Sequence, residues 1–487
     1  MRLKNKFQSS FFLTIEVFKT LTVVAACCVS TSVLAAPLSL DQYLNQVRSG
    51  NDNYKASQLT GDAAPKKAAD SELVYAPTVF ATIQSAVDKK EVLPAAQRGT
   101  ETDYMSAQFG VSKVSKFGTA AKIYYNASHT KIHGTSNMYV PQPEWRETAP
   151  TLEVTQPLWK NALGRDLEKT VELQSGQANI TKLTEQLKRK VSMSEAEGNY
   201  WRLVLARESL RVSKENLERA KKIVDWNRRR VSKELADSAD LIQAEALGEI
   251  REMEVTMAVD EERAASYAFN TSRGDPNPSV KEELIKITRE LIANLPLPTR
   301  TAEREDLQAS IQAERLTDIA ADLAESKYQP SLDVFASGSL NGRNTTSYAK
   351  ANSESQKAKH ATYALGVKLS APIGGESINR LRAGFTSDRQ AAALTLQRKR
   401  YENDREWTDL TLKLQEGKSR LTLTQKIEST QLRKLNAERD RQSRGRSTMF
   451  QVMQCETDYA ASQLNVIRNK AEILGIIARM KTFGGEG

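Results

Sequence analysis

The chain has 487 residues, of which 39% are apolar, 6% aromatic and 27% charged. With 70 Lys and Arg against 60 Asp and Glu it carries a formal charge of +10, yet it holds only three Cys and three His. A polytopic helical membrane protein is excluded because the one long apolar stretch lies at the extreme N-terminus; zinc or disulfide frameworks and collagen-like chains are excluded by composition.

The N-terminus reads as an address. Arg2, Lys4, Lys6 and Lys19 precede the apolar run Leu21 to Val29, and Val33-Leu34-Ala35 places small residues at −3 and −1. This pattern predicts a signal peptide over 1–35, cut after Ala35. Val24-Ala25-Ala26-Cys27 also has the shape of a lipoprotein signal, so Cys27 stands as a candidate lipidation site. Either route takes the mature chain out of the cytoplasm, and after the plain cut only Cys455 remains, too few for an intrachain disulfide. That address removes the nucleic-acid partner which a basic chain would otherwise invite.

Beyond the leader the sequence reads twice. Tyr75-Ala76-Pro77-Thr78-Val79-Phe80 and Tyr328-Gln329-Pro330-Ser331-Leu332-Asp333 each close an Ala-rich helical stretch and open an alternating run. Each copy then reaches a second alternating run ending in proline, at Pro157 and Pro372, followed by a very long polar helix that turns once and returns. The predicted organisation is a first repeat over 36–270, an inter-repeat equatorial segment over 271–303 marked by Pro296 and Pro298, and a second repeat over 304–487.

The long helices carry coiled-coil seams. Ala196, Leu203, Leu210, Leu217, Val224 and Val231 fall at seven-residue spacing, as do Val452, Tyr459, Val466, Ile473 and Met480. Such seams pack along a neighbour over their whole length, and a rod from Asn161 to Val231 would span about 105 Å. Six short runs alternate as strands do: Thr78 to Val87, Met105 to Val114, Ala120 to Ser128, Leu152 to Gln156, Leu332 to Leu340 and Tyr363 to Leu369. In the third, Ala121, Ile123, Tyr125 and Ala127 share one face, while Lys122, Tyr124, Asn126 and Ser128 share the other. That alternation suits a lipid-facing, water-lined barrel or one face of a soluble sandwich, and one chain has too few strands to enclose a wide channel.

In this order the motifs resemble the TolC-type outer-membrane efflux protein family. Leu38-Ser39-Leu40-Asp41-Gln42-Tyr43-Leu44 is similar to its opening helix, and Arg304-Glu305-Asp306-Leu307 to the start of its second repeat. Ser370-Ala371-Pro372-Ile373-Gly374-Gly375 resembles its strand-to-helix junction, and Gly445-Arg446-Ser447-Thr448-Met449-Phe450-Gln451-Val452 its second hairpin tip. The resemblance implies a mixed, mainly α protomer built as a tandem repeat, three of which form a transmembrane β-barrel continued by a long periplasmic α-helical barrel. It implies a homotrimer set in outer-membrane lipid and reaching into the periplasm, with no enzymatic activity and no cofactor. Such a channel is the passive exit duct of a tripartite efflux or type I secretion system, with a periplasmic adaptor docked at its tips and an inner-membrane RND or ABC transporter supplying energy.

The docking tips expected on this reading are Leu235, Ala236, Asp237 and Ser238 in the first repeat and Gly445, Arg446 and Ser447 in the second. At the positions where the resemblance implies an acidic constriction this chain has Gln451 and Gln454, so weak cation selectivity is expected. Asp240 matches an acidic position that ties the two hairpins, with Arg441, Arg444 or Arg446 as its expected partner. The segment Asp88 to Glu147 holds two of the six strand candidates, with Lys116-Phe117-Gly118-Thr119 as a turn. They form either two further wall strands or an extracellular hairpin, and the reading leans toward the hairpin, hence four wall strands per chain and a barrel of 12. His129 and His133 read as a solvated pair rather than a metal site, and no catalytic motif is found. A soluble periplasmic coiled-coil protein is the alternative.

Overall fold

The computed structural model describes residues 37–235, 237–288, 292, 295–300 and 303–484. The signal segment, Cys27 and Ala236 lie outside the described residues. Element order follows the twice-read sequence. The first half runs α1 (Leu40–Gly50), α2 (Asp52–Ala68), β1 (Thr78–Asp88), the single turn α3 (Ala95–Arg98), β2 (Glu101–Val114), β3 (Ala120–His133) and β4 (Glu144–Pro157). It ends on α4 (Arg165–Val231) and α5 (Ser238–Arg273). The second half runs α6 (Glu305–Lys327), β5 (Ser331–Leu340), β6 (Gly342–Asn344), α7 (Tyr348–Gln356), β7 (Ala361–Ser370), α8 (Gly375–Ser443) and α9 (Met449–Met480).

The two longest helices have 67 and 69 residues, about 100 Å each. No proline lies between Pro157 and Pro276 or after Pro372, so nothing interrupts their backbone ladders. The heptad seam holds on α9 and only in part on α4, where Ala196 and Leu203 are buried but Leu210, Leu217, Val224 and Val231 are half-buried and the buried stripe runs through Val212, Asn216, Ala220 and Asn227 instead. Val452, Val466, Ile473 and Met480 are buried on α9, and Val466 and Ile473 pack with Leu410, Leu414 and Leu421 of α8. A Cβ on Gly417 would stand 3.1 Å from Ile473, so the two helices meet closely there. Each such side chain taken from water contributes roughly 1.5–3 kcal/mol. Among the described residues no helix is long and apolar enough to cross a membrane.

The strands form one antiparallel sheet in the order β1-β2-β3-β4-β5-β7, with short β6 also on β4. Here the structure corrects the leaning toward four wall strands. β2 pairs with β1 over the whole of β1, from Thr78↔Ser112 to Asp88↔Thr102, and β3 pairs with β4 from Ala120↔Thr155 to Lys131↔Glu144. Their connecting turn lies at the helical end, where a Cβ on Gly118 (φ +75°) would stand 3.0 Å from Gly164, just before α4. A hairpin whose turn faces the helices and whose strands run the height of the sheet is wall. Apart from the end remote from the helices, one face is apolar across all six strands: Val79, Ile83, Phe109, Ile123, Leu152, Ala336 and Leu365 are all exposed on it. α7 packs on β4 and β6 with Ala351 buried and Asn352 accepting a 3.1 Å hydrogen bond from the Tyr125 hydroxyl.

Between sheet and tips, α1 is pinned by aromatic packing. Tyr43 stacks on Phe269 of α5 at 4.1 Å and meets Tyr200 of α4 at 5.6 Å, while its hydroxyl donates to the Phe269 carbonyl at 3.0 Å. The second half is fixed by Asp306. Arg304 donates to both its oxygens at 2.8 Å, Asn403 of α8 donates at 3.1 Å and Lys399 pairs at 3.0 Å. Burial alone would raise this carboxyl, but the hydrogen bonds from Arg304, Asn403 and Lys399 outweigh it and hold it well below the usual range.

Asp306→Ala should therefore lower unfolding stability by about 3 kcal/mol. Because the folded-state value is depressed, the contribution is complete above about pH 4 and disappears as pH falls through the depressed value. Denaturant titration of wild type and variant at pH 7 and pH 3 checks both; an equal difference at the two pH values contradicts the pairing.

Candidate functional site

The sequence-predicted site residues gather at the end of the molecule remote from the sheet, where two helical hairpins turn. In the first turn Glu234 takes a left-handed conformation (φ +60°) and the exposed Leu235 offers its carbonyl to Arg230 at 2.8 Å. Asp237 then caps α5, accepting from the Ala239 amide and the Ser238 hydroxyl at 3.2 Å each. In the second turn Gly445 (φ +70°) is exposed with nothing within 4 Å of where a Cβ would stand. Its amide bonds Gln442 and the Arg446 amide bonds Arg441, both at 2.9 Å, which closes the helix as left-handed glycine turns do.

The two turns are held at one level by a shared core. Ala220, Ala244, Leu247, Leu435, Met449 and Val452 pack together, drawing on α4, α5, α8 and α9. The structure thus joins both tips into one terminal surface.

The expected constriction residues take specific roles. Thr448 and Gln451 form a capping box: the Gln451 side chain accepts from the Thr448 amide at 3.4 Å and from the Ser447 hydroxyl at 2.8 Å. One turn on, Gln454 donates to Asp458 at 3.1 Å, and Asp458 pairs with Lys434 of α8 at 3.0 Å. The glutamines are exposed and neutral, and the nearby carboxylate already has its cation.

Asp240 does not meet its expected partners in the single chain. It lies in the first turn of α5, whereas Arg441 pairs with Glu438 at 3.4 Å and Arg444 with Asp440 at 2.8 Å. The tie between hairpins is made elsewhere. Glu456 of α9, only 5% exposed, pairs with Arg219 of α4 at 3.2 Å and with Arg439 of α8. Arg219 also contacts Asn216 and Gln463. One carboxylate therefore holds three helices from both hairpins. Sequence reasoning passed over it, although a signal was present: Glu456 stands four residues after Val452 and three before Tyr459, on the packed stripe, where a charge must be paired.

His129 and His133 both lie on β3, each beside its own carboxylate: His129 to Glu144 at 3.0 Å and His133 to Asp103 at 2.9 Å. Among the described residues no cluster of three or more His, Cys, Asp or Glu is placed to hold a metal ion.

An amphipathic antiparallel sheet standing on two tandem helical hairpins is the fold of solved outer-membrane channels. The chain matches the outer membrane protein VceC of Vibrio cholerae with a TM-score of 0.68 at 13% identity, over 92% of this chain and 96% of that one. It matches the CmeC outer membrane channel of Campylobacter jejuni with a TM-score of 0.66 at 14% identity, over 91% and 85%. The open state of the Neisseria gonorrhoeae MtrE outer membrane channel gives 0.64 at 12% identity, over 92% and 90%. At these identities the likeness is one of fold. No family profile matches the chain, and no curated protein matches it.

If Glu456 is the tie between hairpins, Glu456→Ala and Arg219→Ala will not be additive. Denaturant unfolding of both single variants and the double variant should give a coupling of about 1–3 kcal/mol; additive effects contradict the bridge.

Proposed function

We propose that this protein is the passive outer-membrane duct of a tripartite efflux or type I secretion system. Three copies close a barrel through the membrane and a helical tunnel below it, and a periplasmic adaptor docks at the tips. An RND or ABC transporter of the inner membrane supplies the energy, and the chain itself performs no reaction.

The observation that carries this reading is the open sheet with one apolar and one polar face. A single chain leaves Val79 at 79% and Leu365 at 80% exposure, which lipid satisfies and water does not. Lipid in turn requires every backbone group to be paired, so the sheet must close with further copies. Stripes on the helices favour the same assembly. Ile250, Met253 and Met257 of α5 and Leu394, Leu412 and Leu423 of α8 are exposed along single helix faces, as surfaces awaiting a neighbouring protomer are. A soluble coiled-coil protein gives no reason for the apolar face of the sheet.

At the tips, Leu235, Asp237, Ser238, Gly445 and Arg446 are exposed on the two turns, with half-buried Ser447 beside them. Gln451 and Gln454 near the second tip make a closed constriction by hydrogen bonding, without the like-charge repulsion of clustered carboxylates. Asp240 would then find its cation on a neighbouring copy.

Membrane fractionation followed by detergent extraction should place the protein in the outer membrane as a trimer that conducts in planar bilayers. A soluble monomer without conductance overturns the reading. Multivalent cations should block wild-type current weakly and Gln454→Asp current strongly; strong, pH-sensitive block of wild type contradicts the glutamine constriction. Gly445→Val forces a β-branched side chain into a left-handed conformation, at a cost of about 1–2 kcal/mol, with no clash to disturb assembly. A strain relying on this duct should lose its drug tolerance while the trimer persists, and unchanged tolerance contradicts docking at this tip.

A further inference from the structure

The sheet has two free edges, β1 and β7, and neither is protected. Natural edge strands are shortened, bulged, or furnished with inward charges or prolines against uncontrolled pairing. Here β1 offers 11 residues with a single charge, at Asp88, and β7 offers 10 with a single charge, at Lys368. The two edges are complementary. β1 leaves the helical end of the sheet at Thr78 and β7 returns to it at Ser370, so in neighbouring copies they run antiparallel. Their faces agree as well: Val79, Ile83 and Val87 belong to the apolar side of β1, and Tyr363, Leu365, Val367 and Leu369 to that of β7.

We propose that the barrel closes with 18 strands, six from each copy, through an intermolecular ladder that runs from Thr78↔Ser370 to Val87↔Ala361. This rests on the three-copy assembly proposed above. The register follows from three constraints. Face alternation allows only pairings that set odd β1 residues opposite odd β7 residues, since a one-residue slip would turn one strand's apolar residues into the lumen. Full use of β7 favours the pairing in which all ten of its residues find a partner.

Strand tilt supplies the third constraint. Within one chain the hydrogen-bonded row Thr78↔Ser112↔Lys122↔Glu153↔Ser337↔Ala364 reaches β7 six residues from Ser370. With the stated seam it continues onto residue 84 of the next β1, a stagger of 84 − 78 = 6 per copy and 18 around the ring. At about 3.3 Å per residue and 4.8 Å between strands the tilt is about 35°. A seam two residues further along one way lowers it to about 25°, outside the range that barrels adopt, and leaves Ser370 beyond the start of β1; the other way gives about 43° but leaves Ala361 beyond the end of β1 at Asp88.

The consequence is a wide exit. Barrel diameter grows nearly in proportion to strand number, so this mouth is about one and a half times as wide as that of a 12-stranded barrel. The additional lumen wall is polar and almost uncharged: Ser106, Gln108, Asn126 and Ser128, with Lys122 held over the rings of Phe80 and Tyr124 at 4.7 and 4.6 Å. Size selection therefore falls to the helical tips and not to the membrane segment, and the barrel passes bulkier solutes than a four-stranded protomer would allow.

Cysteine pairs read the seam directly. Ile83→Cys with Leu365→Cys should oxidise to a covalent trimer, while neither single variant does so. If the particle retains trimer mass and this pair does not cross-link, the seam is overturned; cross-linking of Ile83→Cys with Val367→Cys in its place overturns the register. A particle that is not a trimer by native mass refutes the assembly beneath both. Asn126→Cys should react with a charged, membrane-impermeant maleimide and Ala127→Cys should not, as alternate faces of a wall strand require. Equal reaction at both positions would put the β2–β3 hairpin outside the wall and return the count to 12.

Discussion

The constraint on which the rest depends is the pairing of backbone hydrogen-bonding groups along the edges of the sheet. Apart from the charged end remote from the helices, six strands present an apolar face, which belongs in lipid, and two bare edges, which lipid forbids. A sheet of this kind has no stable solution as a single chain. In the assembly proposed above, copies of the same protomer supply the missing pairs, and such a ring would carry the helices below it into a ring as well. The exposed stripes on α5 and α8 are the helical counterpart of the bare strand edges.

Length follows from the same arrangement. Helices of about 100 Å cannot belong to a compact domain, and each buries a seam against the other helix of its own hairpin. Where the hairpins end, hydrophobic packing gives way to a small number of polar ties. Glu456 joins α4, α8 and α9 through two guanidinium groups, and Asp306 does the same work at mid-height for the start of the second half. Buried charges of this sort add specificity of register more than net stability, since the desolvation they suffer offsets much of their attraction.

Much of this was legible in the sequence, and the parts that were not have physical reasons. The heptads and the doubled strand–helix order located the long helices and the hairpin turns within a few residues, because a period kept over dozens of residues has few competing explanations. All six long strands were recognisable, but β4 read as Leu152 to Gln156 although it begins at Glu144. Its far half carries Glu144 and Arg146 on the outer face, paired with each other and with His129, and these charges hide the alternation. Whether β2 and β3 belong to the wall depended on which end of the sheet their turn occupies, a fact set by the contact of Gly118 with Gly164 and invisible to periodicity. α7 escaped because its sequence is short, polar and without a repeat. At the tips, Thr448-x-x-Gln451 carries a capping-box signature, so the sequence already offered a structural role for Gln451 beside the constriction role assigned to it.

Single-particle imaging of the detergent-extracted protein tests the central claim most directly. The expected result is a threefold particle whose detergent belt encircles the sheet, with the helical hairpins projecting about 100 Å below it. A particle without a belt, or a belt centred on the helices, would contradict it.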